Sequence, residues 1–210
     1  PAHSDNAKLR ILAAAESLYS RRAIESVSLR EIGRIAGHRN TNAVQHHFTD
    51  REGLVQAIFA WRVAEMEAPR QALLDEIVQR GDKPDVPGLL RVLCQPILDL
   101  KDEQGRHTYA GFMSQYLLHH RPAGMTHASD TRPDISAVLN SIQRQMFEAL
   151  RIDSPAMFNF RIVSAYLMVM NAIVLCDTEP QFANKPELIP TRFEEALAMA
   201  SAALVATIGK

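Results

Sequence analysis

The chain has 210 residues, 47% hydrophobic and 22% charged, which supplies enough apolar material for a sizeable core and excludes a disordered polyelectrolyte. Its two cysteines, Cys94 and Cys176, stand far apart without metal-ligand spacing; this excludes a disulfide scaffold and fits a reduced, cytoplasmic setting. The formal net charge of -1 is unevenly divided: residues 1–62 carry nine Lys or Arg against six Asp or Glu, the remainder 14 against 18, a surplus that suits either a polyanion or an ordinary solvated face.

Apolar residues recur at helical spacing almost throughout, and no alternating run suggests a strand, so the predicted class is all-α. A first helix is expected over about residues 6–21, with Leu9, Ile11, Leu12, Ala15, Leu18 and Tyr19 facing inward. The second starts at Ser28, whose hydroxyl and the carboxylate of Glu31 have capping-box spacing; Val27 and Ile32 form the accompanying staple, and Gly37 marks the stop. A third runs from about Asn40 to about Phe48. Asp50 caps a long fourth helix that passes through Leu54, Val55, Ile58, Phe59, Trp61 and Met66 and is expected to stop at Pro69.

Breaks over residues 82–88, 101–105, 121–133 and 178–190 separate four or five further helices. Tyr109, Phe112, Met113, Tyr116 and Leu117 form one helical stripe. Ile135, Val138, Leu139, Ile142, Met146 and Ala149 form the next, which Leu150 ends. Ser154 before Pro155 starts another helix, and Thr191 with Glu194 has capping-box spacing at the head of the last, where Phe193, Leu197, Ala200, Leu204 and Ile208 share a face. The apolar stretch 162–176 falls short of the roughly 20 residues that cross a bilayer and predicts a buried helix, with no membrane partner. His3, Ser4, Asp5 and Asn6 interrupt any secretory core near the start.

The second and third helices, separated by Gly37 and a polar turn, have the pattern of a helix-turn-helix. A recognition helix needs apolar anchors on one side, here Ala43, Val44 and Phe48. It needs amide or hydroxyl tips on the other, here Asn40, Thr41, Asn42, Gln45 and His46, since such tips can read base edges. Ser28, Arg30, Arg39 and Arg51 are suited to phosphate oxygens, and His47 to a phosphate or to the domain's own backbone.

The run S-L-R-E-I-G-R-I-A-G at residues 28–37, followed by A-V-Q-H-H-F-T-D-R-E-G-L at 43–54, resembles the TetR family of transcriptional repressors over roughly the first 60 residues. Three departures are visible: Ala23 stands where the family has glycine, the turn His38-Arg39-Asn40 is one residue longer, and Gln45 replaces an aromatic residue. The resemblance implies an N-terminal three-helix DNA-binding domain, residues 1–50, joined by the long fourth helix to a helical-bundle regulatory domain, residues 51–210. It also implies a homodimer through the last two helices, a palindromic double-stranded DNA operator and an enclosed small-molecule pocket.

The residues agree with a dimer independently: 162–176 is apolar on every side, and the alanines of the last helix permit close approach, although an ordinary internal core is the alternative. Asn171 within that stretch is either a hydrogen-bonded core residue or a polar contact that sets the dimer's register. Candidate pocket residues are Tyr109, Phe112, Met113 and Tyr116, joined by Met146, Phe147 and Tyr166, which predict a small, largely hydrophobic effector; plain core packing is the other reading. Pro96 is expected to kink its helix and make room for a cavity, and 121–133 to be a gate or a disordered connection. Neither the pair His46-His47 nor His119-His120 has metal-ligand spacing, and no cofactor motif is present. A helical-bundle enzyme or a sensor without DNA binding is the rival reading, but no Glu-x-x-His pair, G-x-S-x-G or glycine-rich phosphate loop supplies its chemistry.

Overall fold

The computed structural model describes residues 2–38, 43–179 and 185–206, without the side chains of residues 2–5, 43 and 46. Among these residues the protein is all-helical, with no strand. The helices are α1 (Ala2–Tyr19), α2 (Leu29–Ile35), α3 (Ala43–His47), α4 (Arg51–Gln79), α5 (Val86–Asp99), α6 (Thr108–Gln115), α7 (Ala128–Thr131), α8 (Ala137–Leu150), α9 (Pro155–Thr178) and α10 (Ile189–Val205). The expected Ile208 lies outside the described residues.

The local chemistry of the first 50 residues sets three helix ends. Ala23 makes its turn at φ -54, in one 3-10 turn, Ile24–Ser26, so no left-handed residue is needed there. The amide and hydroxyl of Ser26 both donate to the Ala23 carbonyl, at 3.0 and 2.7 Å. Ser28 caps α2, accepting from the Glu31 amide at 3.1 Å, but the reciprocal half of the box is replaced: the Glu31 carboxylate pairs with Arg22 at 2.7 Å. At the other end Gly37, at φ +77, donates to Arg34 O while His38 donates to Gly33 O, the paired closure that a left-handed residue permits. Within α1, Ile11, Leu12, Ala15 and Tyr19 are buried; Leu9 is not, and borders an open groove between α1 and α4.

Helix α4 does not stop at Pro69. Capped by Asp50, which accepts from Gly53 N at 2.8 Å, it runs 29 residues, about 43 Å, with the proline inside it. An interior proline costs roughly 3 kcal/mol in an isolated helix, and burial of Met66, Arg70 and Leu74 on either side of it offsets that cost. Pro96 likewise stays inside α5. Helix α10 starts at Ile189, after the 3-10 turn Pro186–Leu188, so Thr191 lies within its first turn instead of capping it. Glu194 is engaged by Arg91 of α5, whose guanidinium holds that carboxyl below its usual range.

The first three helices share one continuous core with the rest. Phe112 of α6 lies 6.2 Å from the Tyr19 ring and 5.1 Å from Phe59. Glu16 of α1, 1% exposed, accepts from Arg62 Nε and Nη2 at 2.6 and 2.8 Å and from the Thr108 hydroxyl at 2.6 Å, tying α1 to α4 and α6. Gly111 of α6 lets the end of α1 approach: a Cβ there would stand 2.9 Å from both the Cβ and the carbonyl oxygen of Ser20. Gly111→Ala is therefore expected to destabilise the fold by about 1–2 kcal/mol, because a clash with backbone puts the cost in the upper part of the roughly 1–3 kcal/mol range for overpacking, about 2–3, against roughly 1 kcal/mol gained in helix propensity. Urea unfolding checks this, and a variant as stable as the parent contradicts the close contact.

Candidate nucleic-acid interface and central cavity

Gly33 positions the short helix α3 on α2. A Cβ at that position would meet Val44 Cγ2 at 3.4 Å, so the two helices cross at close range. Val44 and Phe48 are buried as anchors, while Gln45 is exposed. Lys8 of α1 stands 5.8 Å above the Phe48 ring. Ser28 is exposed beside its capping bond, and Arg30 and Arg34 of α2 are exposed and pair with no described residue. His47 is half-buried with its ring 6.3 Å from Phe48. Arg51, expected to face phosphate, is half-buried, and its Nη2 donates to the Val27 carbonyl at 3.3 Å, turned towards the entry of α2. Arg39, Asn40, Thr41 and Asn42, and with them the turn, lie outside the described residues, as does the side chain of His46.

A cavity of about 130 Å³ lies between α4, α5, α6, α8 and α9. Four expected residues, Tyr109, Met113, Tyr116 and Tyr166, line it. Phe112, Met146 and Phe147 do not: Phe112 is consumed in the junction with α1, Met146 is buried in the core, and Phe147 packs edge-on against Phe158 at 5.1 Å. The lining is also more polar than an apolar stripe predicts, because Arg70, Arg121, His127, Asp130, Gln143 and Asn159 reach it.

Segment 121–133, expected as a gate or a disordered stretch, is built into this wall. Helix α6 continues as a wider π-helical turn over Tyr116–His120, and α7 follows. His127 caps α7 through Nδ1, which accepts from Ser129 N at 3.1 Å, while Asp130 accepts from His127 N at 2.9 Å. Asp130 also receives Arg121 at 3.0 Å, and Arg121 donates to the Tyr116 hydroxyl, which donates to Met125 O at 2.9 Å. Tyr109 and Tyr166 in the cavity wall, and Cys94 buried near Arg70, are held neutral by burial, the Cys94 thiol being pushed up to about 12.

Sequence reasoning missed Arg70, Arg121, His127 and Asp130. Arg70 had a signal: it occupies the apolar register of α4, four residues after Met66 and four before Leu74, where a charge is out of place. The other three gave none, since a polar connection rich in proline and glycine reads the same whether or not it closes a wall.

No protein-family model matches the chain, and no curated protein matches it. Among solved structures the chain is similar to the crystal structure of a TetR-family transcriptional regulator from Streptomyces coelicolor, at 18% identity, over 95% of this chain and 83% of that one, with a TM-score of 0.46.

Burial lowers the pKa of His127 from 6.5 to about 4. Between those values the unfolded chain binds more protons than the folded one, so the contribution of His127 is complete above about pH 6.5 and drains away as pH falls towards 4. It amounts to about 3 kcal/mol. His127→Asn, which keeps a capping acceptor, is expected to flatten the fall in Tm between pH 7 and 5; an unchanged pH profile contradicts the burial of a neutral imidazole.

Proposed function

We propose that the protein is a ligand-responsive transcriptional regulator, a repressor that grips a palindromic duplex as a homodimer and lets go when a small effector with a mainly apolar body enters the central cavity. Residues 1–50 are the DNA-binding domain and 51–210 the regulatory and dimerisation domain. Ser28, Arg30 and Arg39 hold phosphates; Gln45 and His46, with Asn40, Thr41 and Asn42 ahead of them, face base edges. The observation that carries the reading is a five-residue helix with its apolar side anchored by Val44 and its Gln45 amide in solvent, packed on a helix that offers two exposed arginines paired with no described residue.

Dimerisation is supported by the outer face of α9. Met157, Phe160, Ser164, Met168, Asn171 and Leu175 are exposed, at intervals of three or four residues, which is one continuous seam. The exposed Ala198, Met199, Ala202 and Ala203 of the neighbouring α10 extend it. Asn171 is thus no core residue, and 162–176 is not buried on every side: at 24 residues and mean hydropathy 1.6, α9 is long and apolar enough to cross a membrane, yet only a third of that stretch is buried in the fold. The polar Ser164 and Asn171 in the seam fit a partner helix better than lipid.

Gel shifts over a salt series test the DNA reading. Arg30→Ala is expected to weaken every duplex alike and to lower the salt slope by about one, whereas Gln45→Ala costs about 1–3 kcal/mol on the operator and relaxes one base position. Sequence-blind losses of equal size from both contradict a reading role for Gln45. Phe160→Glu places a charge in the apolar seam and is expected to yield a folded monomer in sedimentation with operator affinity reduced by at least about 100-fold. A dimer that survives the change contradicts the α9 seam.

A further inference from the structure

The central cavity contains a guanidinium whose hydrogen-bonding capacity is largely unmet among the described residues, although one carboxylate lies within ion-pair range. Arg70 is 2% exposed and lines the space, yet its Nε and Nη1 make no hydrogen bond, and Nη2 reaches only the thioether of Met66 at 3.6 Å. The nearest carboxylate, Glu67, lies 3.7 Å from Nη1, beyond hydrogen-bond reach, and is otherwise engaged: its two oxygens accept from the amides of Val138 and Leu139 at 2.7 and 3.1 Å and so cap α8. The other carboxylate at the cavity, Asp130, is already paired with Arg121. The remaining groups around Arg70, Tyr109, Tyr166, Cys94 and His127, are held neutral by burial, so Glu67 at 3.7 Å is the nearest counter-charge, and it accepts no direct hydrogen bond from the guanidinium.

A buried guanidinium left two-thirds unsatisfied is costly, and a ligand that brings an anion removes that cost. Beside the polar groups already named, hydrocarbon from Leu93, Met113, Leu117, Leu139, Ile162 and Val163 lines the space. We propose that the cavity takes a small amphipathic carboxylate, its anionic head on Arg70 and its apolar body along α6, α8 and α9. The size is that of one aromatic ring, since an apolar cavity of about 150 Å³ admits benzene. This inference rests on the reading that the cavity holds a small molecule and names the chemistry it selects.

Titration calorimetry of the full-length protein tests it with benzoate and phenylacetate against the neutral benzamide and benzyl alcohol, at pH 7.5. The carboxylates are expected to bind at least about tenfold tighter than their neutral counterparts, the effect of one charge-assisted contact. Arg70→Met, of similar length and without charge, is expected to abolish that preference while retaining weak binding of the neutral compounds. Equal affinities in the parent protein, no saturable binding of either carboxylate, or a preference that survives Arg70→Met overturns the proposal. The parent comparison decides even if the variant fails to fold. Operator release, measured separately, distinguishes the two readings: carboxylates that bind through Arg70 but never release DNA refute the effector role alone, whereas release by neutral compounds alone refutes the anionic head.

Discussion

A carboxylate on α1 and a guanidinium on α4, both out of solvent, hold the first three helices against the rest of the molecule. Glu16 accepts three hydrogen bonds, two from Arg62 and one from Thr108, so every oxygen is satisfied. Arg62 is further enclosed by Glu65 at 2.8 Å and by the Trp61 ring, 3.7 Å away. Burying such a pair adds little net stability over an apolar pair, while stripping one partner costs about 3–5 kcal/mol. What the arrangement supplies is a single allowed register: α1 can meet α4 and α6 in only one way that leaves no charge stranded. The close approach at Gly111 and the contact of His120 Nδ1 with the Glu25 carboxylate, at 3.2 Å, reinforce that register from the side of α6 and the π-helical turn after it.

This constraint also separates what was legible in the sequence from what was not. Periodicity, capping residues and the left-handed stop at Gly37 are local signals, and from them the all-helical class and the caps at Ser28, Asp50 and Ser154 could be read directly. Failures arose where a distant partner outbid the local rule. Glu31 was taken by Arg22 and Glu194 by Arg91, leaving two capping boxes unmade; α8 is capped by Glu67, about 70 positions away, and α4 runs through Pro69 because packing on both sides holds it. Glu16, Arg62 and Arg70 share one signature that could have been read: a charge at the apolar phase of its helix, which a fold tolerates only where a partner awaits it.

The cavity shows the same limit. An aromatic and methionine stripe marks four of its lining residues but equally marks Phe112 and Met146, which are core, because a stripe reports burial and not what is buried against what. For α9 the difficulty ran the other way. Its apolar composition on all sides announced two buried faces, yet the chain itself covers only one of them; the second, with Asn171 and Ser164 among its apolar residues, is exposed and is the face on which the proposed homodimer rests.

Arg62 and Arg70 stand eight residues apart on α4, about 12 Å along one rigid helix, and their electrostatic states differ. The first is fully hydrogen-bonded and fixes α1; the second has Glu67 at 3.7 Å but two nitrogens without a hydrogen bond, and faces the cavity. Glu67 lies one turn from Arg70 on the same helix and accepts from the α8 amides with both oxygens, so an anion taken up at Arg70, as proposed, would act next to the joint between α4 and α8. On the proposed reading, α4 therefore transmits by tilt or translation instead of by unfolding: the pair at Arg62 makes α1 follow whatever α4 does. On that reading a ligand shifts the first three helices only by the difference in its affinity for the two α4 positions, and a buried guanidinium with unmet hydrogen bonds is a feature that can make such a difference large.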